Sequence, residues 1–157
     1  MKSFNKLSLV SLMLLLAIMF GSSQTLLAQE NGLVTVQSKA PFQKTVESLR
    51  KMVSQNDMMV LSEINHGKIL SMTGLRLNGI SLFVGSPTVG KKLFSANKGV
   101  GIAVPIRVNV YEDNDGKTYI NYVKPSVELA PFANDQVNMI AKMLDQKIQM
   151  LTSMLAQ

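Results

Sequence analysis

The chain has no cysteine and no tryptophan, and only one histidine. Without thiols it has no disulfide, no thiolate nucleophile and no cysteine-ligated metal centre. One histidine cannot make a histidine cluster, so the usual zinc patterns are closed to it as well. Aromatic residues are 6% of the 157 and charged residues 17%. Beyond Lys2 and Lys6 the lysines are scattered from Lys39 to Lys147 without a basic block or interleaved aromatics, so the footprint of a nucleic-acid binder is missing. With no cross-links available, stability must come from an apolar core, and 46% of the residues are hydrophobic.

The amino-terminal stretch is laid out like a secretory signal. Lys2 and Lys6 precede the apolar run Leu7–Phe20, and Gly21-Ser22-Ser23 provides a small-residue exit. Cleavage after Ala28 is expected, leaving a mature chain Gln29–Gln157 sized for one domain. The expectation is an exported protein, periplasmic or extracellular, with no stable membrane insertion after processing. Loss of Lys2 and Lys6 lowers the formal charge from +6 to +4.

Local patterns place the elements. Leu33–Gln37 is β-prone, and Ala40-Pro41 opens a helix whose Phe42, Val46, Leu49 and Val53 form one apolar stripe. Met58–Asn65 reads as a strand, and Ile69–Asn78 as a loop or short helical excursion. Ile102, Val104, Ile106, Val108 and Val110 alternate with Ala103, Pro105, Arg107, Asn109 and Tyr111, which predicts a half-buried strand with a bulge or edge at Pro105. Glu112–Gly116 is a hairpin turn, lacking the further ligands of a calcium loop, and Lys117–Val123 returns. A helix over Asn134–Leu155 carries Val137, Ile140, Leu144, Ile148, Leu151 and Leu155 on its buried stripe. Met139, Met143, Met150 and Met154 are expected to widen that stripe, against the sheet or a second subunit. Their thioethers do not make a metal site without convergent ligands, so no metal or cofactor is implied.

Two places could carry chemistry. Ile80–Val84, Gly85-Ser86-Pro87 and a helix over Pro87–Ser95 form a strand, turn and helix. Ser86 suits the cap and Pro87 the first turn. The helix-start amides with Lys91 and Lys92 make this the best place for a small anion. The alternative is a solvated basic helix after a structural turn. Gly85 to Lys91 fits G-x-x-x-x-G-K, but Lys92 stands where a phosphate-binding loop has Ser or Thr, so nucleotide hydrolysis is not supported. The second place is His66, a lone acid or base near neutrality, for which no nearby Ser or Asp in the sequence supplies a nucleophile arrangement.

Phe42, Thr45–Leu49, Ile64-Asn65-His66, Gly74-Leu75, Leu82–Pro87, Ile102–Arg107, Tyr111–Asp113, Asp115–Lys117, Tyr122 and Pro125 together resemble the small uncharacterised domain family DUF302. The resemblance spans about Leu33 to Phe132. It implies an α+β domain in β-α-β(4)-α order, with an antiparallel sheet and two helices on one side; the residue patterns give the same order plus the short helix near 87–95. It also implies possible dimerisation, here through the C-terminal helix, and no settled activity. The resemblance implies Ile-Asp-His at this place, whereas this chain has Asn65, which removes the carboxylate that Asp-assisted chemistry at His66 would use. The leading expectation is a non-catalytic domain binding a small anionic or amphipathic ligand through Ser86, Lys91 and Lys92. The alternatives are a hydrolase or isomerase using His66 and a structural or envelope-stress protein.

Overall fold

The computed structural model describes residues 31–156, and the signal expected over residues 1–28 lies outside them. Five strands, β1 (Leu33–Gln37), β2 (Met59–Asn65), β3 (Gly79–Gly85), β4 (Ile106–Glu112) and β5 (Thr118–Val123), form one antiparallel sheet in the order β1-β5-β4-β3-β2. Between and after them come α1 (Phe42–Gln55), α2 (His66–Leu70), α3 (Pro87–Ala96), α4 (Pro125–Glu128) and α5 (Asp135–Ser153). This is the α+β architecture that the residue patterns predict.

One sheet face is buried because its strands alternate. Ile80, Leu82 and Val84 of β3, Ile106, Val108 and Val110 of β4, and Ile120 and Tyr122 of β5 all point into one core. Helices α1 and α5 cover that face. Val46, Leu49 and Val53 supply the stripe of α1, and Val137, Ile140, Leu144, Ile148 and Leu151 that of α5. Each such side chain contributes about 1.5–3 kcal/mol by leaving water. Asn134 starts α5 by accepting the Val137 amide at 2.9 Å. Arg50 of α1 grips Glu63 of the edge strand β2 with two 2.7 Å hydrogen bonds. That grip holds the Glu63 carboxyl below its usual range, against a smaller opposing effect of burial. Both side chains are about a third exposed, so the pair is worth up to about 1 kcal/mol.

Three local expectations need correction. The strand predicted from Ile102 begins only at Ile106, and Ile102 is 87% exposed. Asn97 accepts the Gly99 amide at 2.8 Å and starts a 3-10 turn over Lys98–Ile102. That turn buries Val100 and Ala103 instead of Ile102, and a cis Val104–Pro105 bond leads into β4. The methionines of α5 do not widen its buried stripe: Met139, Met143, Met150 and Met154 are 71%, 42%, 40% and 56% exposed. Each directly precedes a stripe residue and is therefore turned about 100° away from it. The stripe widens on its other side, through Ala141 and Thr152. Finally, Ser86 occupies the cap position of α3 but makes no side-chain capping bond.

Candidate functional site

The sheet face turned away from α1 and α5 carries polar side chains in a register row. Ser81 of β3 stands opposite Asn109 of β4, Asn109 opposite Asn121 of β5, and Asn121 opposite Thr35 of β1. Because side chains alternate along a strand, all of these project to the same side. His66 joins the row from its edge. Asn65 ends β2 and caps α2 by accepting the Lys68 amide at 2.8 Å, which places His66 at the first helical position. An Asp would serve that cap equally well. Asn65 therefore keeps the local architecture that an Asp at this position would give.

The resulting hydrogen bonds form a ladder across four elements. His66 Nε2 is 2.9 Å from Ser81 Oγ, Ser81 Oγ donates to Asn109 Oδ1 at 3.5 Å, and Asn109 Nδ2 donates to Asn121 Oδ1 at 3.1 Å. Read head to tail, His66 donates to Ser81, Ser81 to Asn109 and Asn109 to Asn121. The side-chain amide nitrogen of Asn121 is then left as a donor at the far end. The Ser81–Asn109 step is the weakest, at the long limit of such bonds.

Above the ladder lies a pocket of about 410 Å³, lined by these residues together with Arg107, Glu128 and the apolar Leu33 and Val123. Arg107 is two residues along β4 from Asn109, hence on the same face, and is exposed. Glu128 comes from α4. Burial pushes its carboxyl above the usual range, and the field of Arg107 partly offsets the rise. A small molecule placed here would meet the planar donor fork of Arg107, the amide of Asn121 and a carboxyl with a raised proton affinity. The volume falls within the roughly 300–1,000 Å³ of small-molecule sites.

Of the residues singled out in the sequence, the pocket takes in His66 alone. Ser86 lines a different, apolar groove, while Lys91 and Lys92 are solvent-exposed on α3. Sequence reasoning missed Ser81, Asn121 and Glu128, and treated Arg107 and Asn109 only as the outward half of an alternating strand. Polar residues at every second position of a sheet with one covered face were the signal available. Among the described residues no group of three or more His, Cys, Asp or Glu side chains could hold a metal ion. Among them, too, no helix is long and apolar enough to cross a membrane.

Comparison with known proteins adds the following. The crystal structure of an uncharacterized conserved protein DUF302 from Bacillus stearothermophilus is similar with a TM-score of 0.73 and 22% identity, covering 79% of this chain and 98% of that one. That likeness concerns the fold. Two curated relatives, the fluoride-specific ion channel FluC 1 of Brucella suis biovar 1 (strain 1330) and FluC 2 of Brucella melitensis biotype 1, are each 30% identical over 98 residues. The match takes in 62% of this chain and only 39% and 36% of theirs, so the chain spans less than two fifths of those proteins. The family model described as a domain of unknown function, DUF302, matches residues 34–156, and the chain belongs to that family.

Proposed function

We propose that this is an exported, non-catalytic domain that binds a small anion, a carboxylate or a similar oxyanion, on the open face of its sheet. The observation that carries the reading is the hydrogen-bonded ladder from His66 to Asn121 beneath Arg107 and Glu128. A pre-formed row of this kind fixes its side chains before a ligand arrives, so little ordering entropy is lost on binding. Arg107 supplies bidentate geometry suited to a carboxylate, and Asn121 a neutral donor beside it. Glu128 would repel an anion when ionised, but its raised proton affinity lowers that repulsion at mildly acid pH. The export half of the reading rests on Lys2, Lys6 and Leu7–Phe20, and places the native N-terminus near Gln29.

A hydrolytic reading draws on the 2.9 Å contact between His66 Nε2 and Ser81 Oγ. Ser81 is only 4% exposed and its hydroxyl is shared with Asn109, which suits a rung of the ladder better than an attacking group.

Isotope-labelled protein titrated with acetate, methanesulfonate and fluoride tests the anion-binding reading. Saturable shifts centred on Arg107, Asn109 and Asn121, with methanesulfonate binding tightening as pH falls and binding lost in Arg107→Met, support the proposal. Methanesulfonate stays ionised throughout, so that pH dependence reports the protein. Saturable binding of fluoride alone, or diffuse shifts over all the lysines, counts against it.

A further inference from the structure

On the helix side of the sheet, remote in character from the polar pocket, an apolar groove of about 370 Å³ opens between α3 and the start of β4. Its floor is core: Val84, Leu93 and Leu144 are buried. Its lips are wet, since Leu61 is 51% and Phe94 44% exposed. We propose that this groove is a second binding site, for the aliphatic chain of an anionic amphiphile of the fatty-acid class.

Two sequence features hold the groove open. The first is the bulge in β2 between Val60 and Ser62, where the register slips by one residue. A bulge sets two residues against one on the partner strand, so Leu61 joins Val60 opposite Val84. Leu61 thereby becomes a groove wall, beside Gly85, where an added Cβ would meet Leu61 Cδ1 at 2.9 Å. The second is Gly90, in the interior of α3 and part of the groove lining. Glycine disfavours a helix interior. An added Cβ at Gly90 would find no atom within 4 Å, so its small size is not demanded by packing within the protein. What the missing side chain leaves is room over the groove.

Charge selects the head group. On a helix, Val89, Gly90, Leu93 and Phe94 share the groove side, and the 100° step per residue puts Lys91 beyond one lip and Lys92 beyond the other. Both lysines are exposed, so either can reach a carboxylate at the groove mouth while the chain lies against the apolar floor. Among the described residues, no hydrogen bond or ion pair engages either ammonium group. The hydroxyl of Ser86, at the same rim and free of any capping bond, is a further polar contact for that head.

The test compares decanoate, 1-decanol and decyltrimethylammonium, one chain with three head charges, below their aggregation limits. Decanoate should bind saturably, with shifts at Leu61, Gly90 and Phe94, and about three- to tenfold more tightly than decanol. Lys91→Gln with Lys92→Gln should bring decanoate down to the level of decanol. Gly90→Leu fills the groove while improving helix propensity, so the fold survives; it should weaken decanoate at least about tenfold. Unchanged decanoate binding in a folded Gly90→Leu variant overturns the proposal. So does equal binding of all three head groups. Shifts confined to the face bearing Arg107 and Asn121 would place the amphiphile in the other pocket and also overturn it.

Discussion

His66 Nε2 lies 2.9 Å from Ser81 Oγ, although the two residues are fifteen positions apart. The contact follows from pairing: Ser81 stands opposite Ile64 and Ile80 opposite Asn65 in the β2–β3 register, so His66, just past the end of β2, reaches diagonally back to Ser81. A helix start and an interior strand position are thereby tied through two side chains. His66 is thus held as part of the sheet's polar face.

Ser81→Ala should cost about 1–3 kcal/mol, because the hydroxyl serves both His66 and Asn109 and its loss leaves both short of a partner. Nitrogen shifts of the His66 ring should change in the same variant while the core methyl signals stay in place. Denaturant midpoints together with ring shifts indistinguishable from the parent would mean that the ladder is not formed in solution.

Glu128 gives the open face a pH dependence. Burial raises its carboxyl, and Arg107 pulls it back only in part. A carboxyl whose folded value exceeds its unfolded one holds more protons in the native state. Its contribution to stability is therefore most favourable below the ordinary carboxylate range, and it is lost as pH rises through the raised folded value. Glu128→Gln should flatten that portion of the stability curve, and Arg107→Met should move the Glu128 titration further upward. A side-chain carbon titration that places Glu128 below the ordinary range would contradict this electrostatic account.

Much of the fold was legible because its signals are local. The stripe of Val46, Leu49 and Val53 and that of Val137 to Leu155 are helical repeats, and Ile106, Val108 and Val110 alternate as a one-faced strand should. Ile102 defeated the same logic, since its place in the alternation was overridden by the Asn97-started turn that buries Val100. The exposed methionines show the limit of composition: an apolar residue one position off a stripe belongs to another face. The candidate site was largely hidden for a different reason. Its members lie 15, 28 and 12 positions apart along the ladder, and only strand order brings them together. No local spacing records that Ser81, Asn109 and Asn121 share a row.

The corrected strand start yields a paired test. Val108→Ala, at a position 1% exposed, should cost about 2–4 kcal/mol as a buried truncation. Ile102→Ala, at a position 87% exposed, should change stability by less than about 0.5 kcal/mol. Urea midpoints of the two variants decide the matter. Comparable losses at both positions would restore the longer strand.

Thr118 presents an opposite case. Its residue is 3% exposed, and among the described residues its Oγ1 is the one buried side-chain oxygen without a hydrogen-bond partner. Thr118→Val keeps the shape, removes the unmatched hydroxyl and suits a strand. Stability should rise by about 1 kcal/mol, read as a higher midpoint with an unchanged denaturant slope. A loss of stability would show that the hydroxyl is satisfied in solution.

Gly67 and Gly90 should respond to the same substitution with opposite signs. Neither has a positive φ, so neither is needed for a left-handed turn, and the difference comes from what surrounds each Cα. At Gly67 an added Cβ would overlap the Leu77 carbonyl oxygen, a backbone atom that cannot swing aside. Gly67→Ala must therefore push α2 away from the segment leading into β3, at a cost of about 1–3 kcal/mol. Since His66 directly precedes Gly67, its bond to Ser81 should loosen as well, and the ring shifts should move towards those of Ser81→Ala. At Gly90 the new methyl meets nothing within 4 Å, and alanine favours the helix by about 0.5–1 kcal/mol. Thermal melts of both variants, with His66 spectra of the first, check the pair. A stabilised Gly67→Ala protein with an unperturbed His66 ring would show that α2 does not pack against Leu77 as described.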